Sequence, residues 1–139
     1  MNRIFLPVLL CSSVGSLTGC DGAEAGPGSG SSGAAEAAPT AITAADREAA
    51  KAKFDTLCHT CHGQSGAGDG PASVGLVPTP RNFQDADWQA SVTDEHIEKI
   101  IVGGGAAVGK AITMPSNPDL NGKPGVVAAL REHIRSLAK

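Results

Sequence analysis

Residues 58 to 62 read CHTCH and place two thiols and an imidazole within five positions of the chain. The thiols belong to Cys58 and Cys61, and His62 follows directly. A Cys-x-x-Cys pair serves three kinds of chemistry in proteins: a redox dithiol, half of a zinc site, or covalent attachment of a haem. The choice among them depends on the elements around the motif and on the other cysteines of the chain.

A helix is predicted to carry the motif. The run ADREAAKAKFDTLCHTCH contains no Gly or Pro, and Thr43 followed by Asp46 is a capping pattern for its start. Apolar residues recur at helical spacing at Ala50, Phe54, Leu57, Cys58 and Cys61. Phe54 and both cysteines are therefore expected on one face, toward the core. Gly63 is expected to end the helix directly after His62.

The rest of the chain predicts two further helices and no strand. From Gly63 to about Gln89 we expect a Gly- and Pro-rich loop, whose length is unusual in a compact domain unless the loop wraps around something. A second helix is predicted to begin at Thr93, to present the apolar side chains of its isoleucines, and to end at the glycines of IVGGG. A last helix is predicted to start at Pro124. The fold class is therefore all-α, with three main helices and long loops.

Composition indicates one small domain that lacks much of its own core. The chain has 139 residues, of which only 3% are aromatic, with 18 glycines and 9 prolines. Because aromatic side chains supply much of the buried area in small domains, a disulfide set, a metal or a large apolar cofactor is expected to complete the interior. The net charge of −3 argues against nucleic acid as a partner.

Residues 1–19 are predicted to be an export signal, with Arg3 as its positive charge and IFLPVLLCSSVGSL as its short apolar stretch. The sequence LTGC at residues 17 to 20 resembles the lipobox of bacterial lipoproteins. In such proteins cleavage precedes the Cys, and its thiol carries a lipid. Cys20 is therefore the expected lipidation site. Residues 20–42 are then the lipidated Cys and a flexible tether, and residues 43–139 are the folded domain.

The positions of the four cysteines favour one of the three chemistries. Cys11 lies in the predicted signal and Cys20 is assigned to the lipid, so Cys58 and Cys61 stand alone. A zinc site would need two more ligands from histidines that lack paired spacing. A thioredoxin-like dithiol would need a βαβ pattern, which is absent from the sequence. C-x-x-C-H is the attachment signature of c-type haem, so the motif predicts one covalently bound haem c, with its iron, per chain.

From about residue 43 to its end, the chain resembles a bacterial monohaem cytochrome c of the single-domain type. The motifs that carry the resemblance are CHTCHG, GAGDGP directly after it, PTPRNF, and TMP in a late loop before a terminal helix. The resemblance implies a small cytochrome c-like fold, in which helices and long loops wrap around one covalently bound haem. It also implies a contact between Phe54 on the first helix and Leu130 or Ile134 on the last.

The resemblance also assigns the main site residues. Cys58 and Cys61 are the expected thioether attachment points, and His62 is the expected proximal iron ligand. Met114 is the expected second ligand, because it lies before a proline in a late loop, where cytochromes c place their axial thioether. Pro71 matches the proline whose carbonyl accepts the other ring N–H of the ligand histidine.

Four other side chains have weaker assignments. Trp88 is expected either to donate its indole N–H to a haem propionate or to act as a core aromatic. Arg81 is expected either to pair with a propionate or to be exposed. His96 and His133 lie on helices among charged residues and are expected on solvated faces. His59, inside the motif, is also expected to face solvent.

These features predict an electron-transfer protein rather than an enzyme, because a haem with two protein ligands has no open position for a substrate. We expect it at the periplasmic face of a bacterial membrane, inner or outer, anchored through the lipid on Cys20. Its expected partners are a respiratory oxidase, a dehydrogenase or another cytochrome. Two alternatives remain: a haem enzyme subunit or gas sensor with an open axial position, and a thiol oxidoreductase.

Overall fold

The computed structural model describes residues 41–139. The predicted export signal, the lipidation site at Cys20 and nearly all of the predicted tether lie outside the described residues. Between residues 41 and 139 the chain is helical and forms no strand, which confirms the all-α prediction. No helix in this range is long and apolar enough to cross a membrane.

The first helical segment has three consecutive parts: α1 (Ala44–Lys53), a π-helical turn (Phe54–Cys58) and α2 (His59–His62). Thr43 caps the start of α1. Its hydroxyl accepts from the Asp46 N–H at 3.2 Å, and the Asp46 carboxylate accepts from the Thr43 N–H at 2.9 Å. This capping box confirms the predicted start. Gly63, with φ of 80°, ends the segment directly after His62, also as predicted.

The π-helical turn changes which side chains the segment buries. It contains one residue more than a regular helical turn, which rotates the following residues by about 100°. Phe54 is 1% exposed, whereas Leu57 is 41% exposed and both cysteines are half-buried. The predicted common face is therefore divided. Phe54 lies in the core, Cys58 packs at the edge of the core, and Cys58 and Cys61 both line a cavity.

Two helices follow the long loop: α3 (Ala86–Ser91) and α4 (Asp94–Gly103). α3 corrects the prediction of a loop that continues to about Gln89. It forms because the Asp85 carboxylate accepts from the Trp88 N–H at 3.1 Å and caps the helix. Thr93 caps α4 and Gly104 terminates it, as predicted.

The last helix, α5 (Pro124–Ser136), begins with its proline at the first helical position, as predicted. Short 3₁₀ turns occur at Pro71–Ser73, Gly105–Val108 and Pro118–Leu120. The turn that begins at Pro71 packs against α2, and the turn that begins at Gly105 packs against α4. The long loops between helices are therefore attached to the helices that flank them.

One hydrophobic cluster joins the helices. α5 packs against both α1 and α4, and it buries an unbroken run of residues from Gly125 to Leu130. Phe54, Leu130 and Ile134 all belong to this cluster, in agreement with the expected contact between the first and last helices. The buried members of the cluster are Ala50, Phe54, Phe83, Ile97, Ile101, Leu120, Val126, Val127, Ala129, Leu130 and Ile134.

Candidate functional site

The CHTCH segment places two thiols at the wall of a cavity. Cys58 and Cys61 both line it, and neither forms a disulfide. Burial raises the pKa of the Cys58 thiol, and the nearby Lys53 charge opposes this shift without cancelling it. Cys58 is therefore a protonated thiol at neutral pH. A reactive redox dithiol needs a lowered thiol pKa, so this environment does not favour the thiol oxidoreductase alternative.

His62 is held in one tautomer. Its side chain is buried, and Nδ1 lies 3.1 Å from the carbonyl oxygen of Arg81. Because a carbonyl oxygen only accepts, Nδ1 carries the proton and Nε2 keeps its lone pair. Burial lowers the pKa of His62, and the hydrogen bond to Arg81 opposes that shift only in part. His62 is thus a neutral imidazole with one free nitrogen, the form in which histidine binds metals.

The acceptor for the His62 ring is not the one predicted. The Pro71 carbonyl was expected in this role, but the structure uses the Arg81 carbonyl. Pro71 is exposed and does not line the cavity. The reason lies in the preceding residue: the Gly70 N–H donates to the Cys61 carbonyl at 3.1 Å. This bond fixes the GDGP segment against the backbone of α2, while the His62 ring bonds to the later PTPRNF segment.

A row of rings supports the imidazole. Phe83 stacks on His62 with ring centroids 4.3 Å apart and planes 17° apart, and Trp88 lies tilted against Phe83 at 5.6 Å. The Arg81 guanidinium lies 5.8 Å from the centroid of the Trp88 ring. The Phe83 contact was not predicted, because nothing in PTPRNF indicates that its aromatic ring meets a histidine about twenty positions earlier.

Trp88 and Arg81 both line the cavity. Trp88 is half-buried and packs against the core, so its core role is present. Arg81 is exposed, so its guanidinium is accessible at the edge of the cavity. Contact of either side chain with a haem propionate stays a prediction.

Met114 reaches the same cavity from a loop. Its side chain is half-buried and lines the cavity. The Met114 N–H donates to the Ala111 carbonyl at 3.2 Å, and the Met114 carbonyl accepts from the Gly105 N–H at 3.0 Å. Three residues later, the Asn117 side chain is buried and donates to the Ile101 carbonyl at 2.6 Å. The backbone of the methionine loop, which we define as residues 109–117, is therefore bonded to the end of α4 and to the residue just after it.

The cavity has a volume of about 260 Å³, and most of its surface is apolar. α4 contributes isoleucines to its lining, at Ile97, Ile100 and Ile101. Two free thiols, a neutral imidazole and a thioether meet there, from Cys58, Cys61, His62 and Met114. Covalent attachment of haem uses two thiols, and haem iron accepts imidazole and thioether ligands, so the residues present fit that group.

The three other histidines differ from the solvated faces predicted for them. His133 is half-buried, with its ring 4.4 Å from the ring of Phe54 in an edge arrangement and its Nε2 buried without a hydrogen bond. His59 is also half-buried, and its Nδ1 is likewise buried without a hydrogen bond. His96 is half-buried and lines the cavity. The prediction for His96 and His133 rested on their charged neighbours in sequence, and such neighbours do not show on which side of a helix a histidine lies.

Comparison with known proteins agrees with this site. A family model described as Cytochrome c matches residues 47–138, well over half of the chain. The matched region contains the CHTCH motif, the Arg81 carbonyl, the methionine loop and nearly all of the helical structure. No curated protein matches the chain.

Proposed function

Because the chain belongs to the cytochrome c family, we propose that it shuttles single electrons with His62 and Met114 as its two axial ligands. It is a haem-binding electron-transfer protein, and its cofactor is a covalently bound haem c with iron. The proposal extends this family function to the second ligand, the location and the absence of enzyme activity. When bound, the haem supplies one-electron chemistry at its iron.

One observation carries the choice of ligands: His62 and Met114 line the same cavity as the two cysteines. His62 offers a neutral nitrogen, oriented by its bond to the Arg81 carbonyl and by the Phe83 ring. Met114 offers a soft thioether, which favours the reduced iron and raises the reduction potential. Two side-chain donors leave no position for a substrate, so we assign electron transfer and no enzyme activity.

The electron-exchange surface is proposed at the mouth of the cavity. Within residues 41–139, the charged side chains that line the cavity are Arg81 and Lys110, and no carboxylate of this range lines it. Two large apolar residues whose neighbours in sequence line the cavity are strongly exposed: Val77 at 89% and Ile112 at 84%. This part of the surface is therefore apolar and basic, although the whole chain carries a net charge of −3. A redox protein with an apolar docking patch and acidic residues around it fits this surface.

Replacement of Met114 tests the ligand assignment. Met114→Ala should retain covalent haem but lose the weak near-infrared band of ferric His/Met haem. Its reduction potential should fall, and its ferrous form should bind carbon monoxide. Ile112→Ala is the matched control, because it shortens an exposed side chain in the same loop. It should keep the spectrum and potential of the wild type.

The same measurements separate the alternatives. A gas sensor or haem enzyme with an open axial position would bind carbon monoxide in the wild-type protein. If Met114→Ala keeps the wild-type spectrum and potential, another residue is the ligand. His96 is then the first candidate, because it is the other histidine that lines the cavity within residues 41–139.

We also propose that the protein is held at the periplasmic face of a bacterial membrane by a lipid on Cys20. The support is in the sequence alone: LTGC follows a short apolar stretch, and a Gly- and Ser-rich segment follows LTGC. Cys20→Ser should release haem-loaded protein from the membrane or leave it unprocessed. Recovery of the wild-type protein entirely in the soluble periplasmic fraction would contradict the anchor.

A further inference from the structure

We propose that the C-terminal end of α4 positions Met114, through a clamp formed by Gly104, Gly105 and Asn117. The inference rests on the proposed ligation of haem iron by Met114 and adds the residues that hold this ligand in place. We call these three residues the methionine clamp. They act on Met114 through the backbone and through the space that the two glycines leave open.

Gly105 bonds to the carbonyl of Met114 and leaves room for the acceptor of the Met114 N–H. Its N–H donates to the Met114 carbonyl at 3.0 Å. A Cβ atom added to Gly105 would overlap the carbonyl oxygen of Ala111, and that oxygen accepts from the Met114 N–H at 3.2 Å. Any side chain at position 105 therefore displaces the Ala111 acceptor while it disturbs the Gly105 donor. Because the φ of Gly105 is not in the left-handed region, the need for glycine here is one of space.

Gly104 and Asn117 complete the clamp on either side of Gly105 and Met114. Gly104 has φ of +71° and ψ of −177°, a conformation that is essentially restricted to glycine. A Cβ atom there would lie 2.7 Å from the Met114 carbonyl oxygen and 2.7 Å from the Ser116 nitrogen. Asn117 donates its backbone N–H to the Val102 carbonyl at 2.8 Å and its side-chain amide to the Ile101 carbonyl at 2.6 Å. The loop is thus bonded to Gly105, just beyond the end of α4, before Pro115, and to α4 itself after Pro115.

The methionine loop needs this clamp because its own side chains hold it weakly. From Gly109 to Thr113 every residue except Ala111 is exposed, and Ile112 is 84% exposed. Segments with few buried contacts open easily, and the methionine side chain has three rotatable bonds. Because the loop opens easily and the side chain is flexible, a lasting bond between the Met114 thioether and the iron requires a fixed backbone at Met114. The hydrogen bonds to α4 provide it.

Gly105→Ala tests the clamp, and Gly109→Ala is its control. Gly109 ends the same short turn, and a Cβ atom there has nothing within 4 Å, although its φ of +68° makes the substitution strained. Gly105→Ala should retain covalent haem, lose most of the near-infrared ferric band and bind carbon monoxide when reduced. Gly109→Ala should keep the band and exclude carbon monoxide, even though it carries the backbone strain.

The outcomes separate the inference from the proposed function. If the wild type shows the band, Met114→Ala loses it and Gly105→Ala keeps it, then ligation stands and the clamp is overturned. If Met114→Ala keeps the band, the ligand assignment fails first. Should Gly105→Ala not accumulate as folded protein, Asn117→Ala removes a bond without adding an atom. It should lose the band at a lower temperature than the wild type, and an unchanged temperature would overturn the clamp.

Discussion

Arg81 contributes to the site through its backbone and, separately, through its side chain. Its carbonyl orients His62, and its guanidinium lies beside Trp88 at the cavity. A cation near the haem disfavours ferric iron, which carries one more positive charge than ferrous iron. We therefore expect Arg81→Gln to lower the reduction potential and to leave the His62 ligation unchanged.

A redox titration with spectra of both oxidation states measures this effect. Lys99→Gln removes the same charge from an exposed position of α4 that does not line the cavity. Its potential should change less than that of Arg81→Gln. Equal shifts in the two variants would show that only the net charge matters, and that the place of Arg81 at the cavity has no special effect.

His133 is expected to make stability depend on pH. Burial lowers the pKa of His133; the Asp55 charge opposes the shift and the Lys51 charge reinforces it. Below the ordinary pKa of 6.5, the unfolded chain takes up a proton that the folded chain resists. The wild type should therefore lose more stability than His133→Leu as the pH falls from 7.5 to 5.

Denaturant unfolding of the two proteins at both pH values measures the difference. His62 is present in each, so its contribution cancels in the comparison. Equal losses of unfolding free energy in the wild type and in His133→Leu would show that the ring packed against Phe54 is protonated as readily as in the unfolded chain.

Arginines of α5 join three helices. Arg131 contacts Asp94 at 2.6 Å and Glu98 at 3.0 Å, and Arg135 contacts Asp94 at 2.8 Å. Burial alone would raise the pKa of Asp94, but the hydrogen bond from Arg135 and the charges of both arginines outweigh it and lower that pKa. Arg135 also donates to the carbonyls of Gln89 and Val92, at the end of α3. One guanidinium thus joins the C-terminus of α3 to the start of α4.

Loss of this junction should be measurable. Arg135→Met should lower the free energy of unfolding by about 2 kcal/mol, because it leaves charged and carbonyl partners without their donor. Arg47→Met is the control. Arg47 pairs with Glu132 of α5, where both side chains are about half exposed, so its loss should cost at most about 1 kcal/mol. Equal costs in denaturant titrations would show that the junction is no stronger than a surface pair.

The starts of α1, α4 and α5 could be predicted from the sequence because each depends on neighbours within one turn. Thr43, Thr93 and Pro124 carry their signals locally, and all three predictions were confirmed. The π-helical turn could not be predicted in this way. Within it and beside it, the Thr56 and Thr60 hydroxyls donate to backbone carbonyls one turn earlier, a local bond that ordinary helices also tolerate. Only tertiary packing decides between a π-helical turn and an ordinary α-helical turn at this place.

The functional site likewise has a part that could be predicted from the sequence and a part that could not. The CHTCH motif and the methionine before a proline could be located from spacing and family resemblance, since each is a short segment. The Arg81 acceptor, the Phe83 stack and the methionine clamp join segments that are distant in sequence. A single sequence gives no measure of such contacts, and this is why the Pro71 prediction was wrong.

The whole domain is expected to need its cofactor in order to fold. Two phenylalanines are the aromatic members of the buried cluster, and an apolar cavity lies beside it. Cys58→Ser with Cys61→Ser should therefore give a chain with little near-ultraviolet circular dichroism and no cooperative unfolding transition.

Met114→Ala is the control for this experiment, because it should retain the attached haem and lose only the proposed second ligand. It should remain folded and unfold cooperatively. A double serine variant that unfolds in one cooperative transition, with a stability close to that of the wild type, would show that the polypeptide completes its own interior.

The bond between His62 and the Arg81 carbonyl has a consequence for how such a protein evolves. Every amino acid presents the same main-chain carbonyl, so a codon change at position 81 leaves the imidazole oriented as long as the backbone path is kept. The exposed side chain at that position is meanwhile free to change sign or size. A lineage can therefore adjust the surface beside the cavity to a new partner by single substitutions, without an intermediate generation in which the His62 imidazole has lost its orientation.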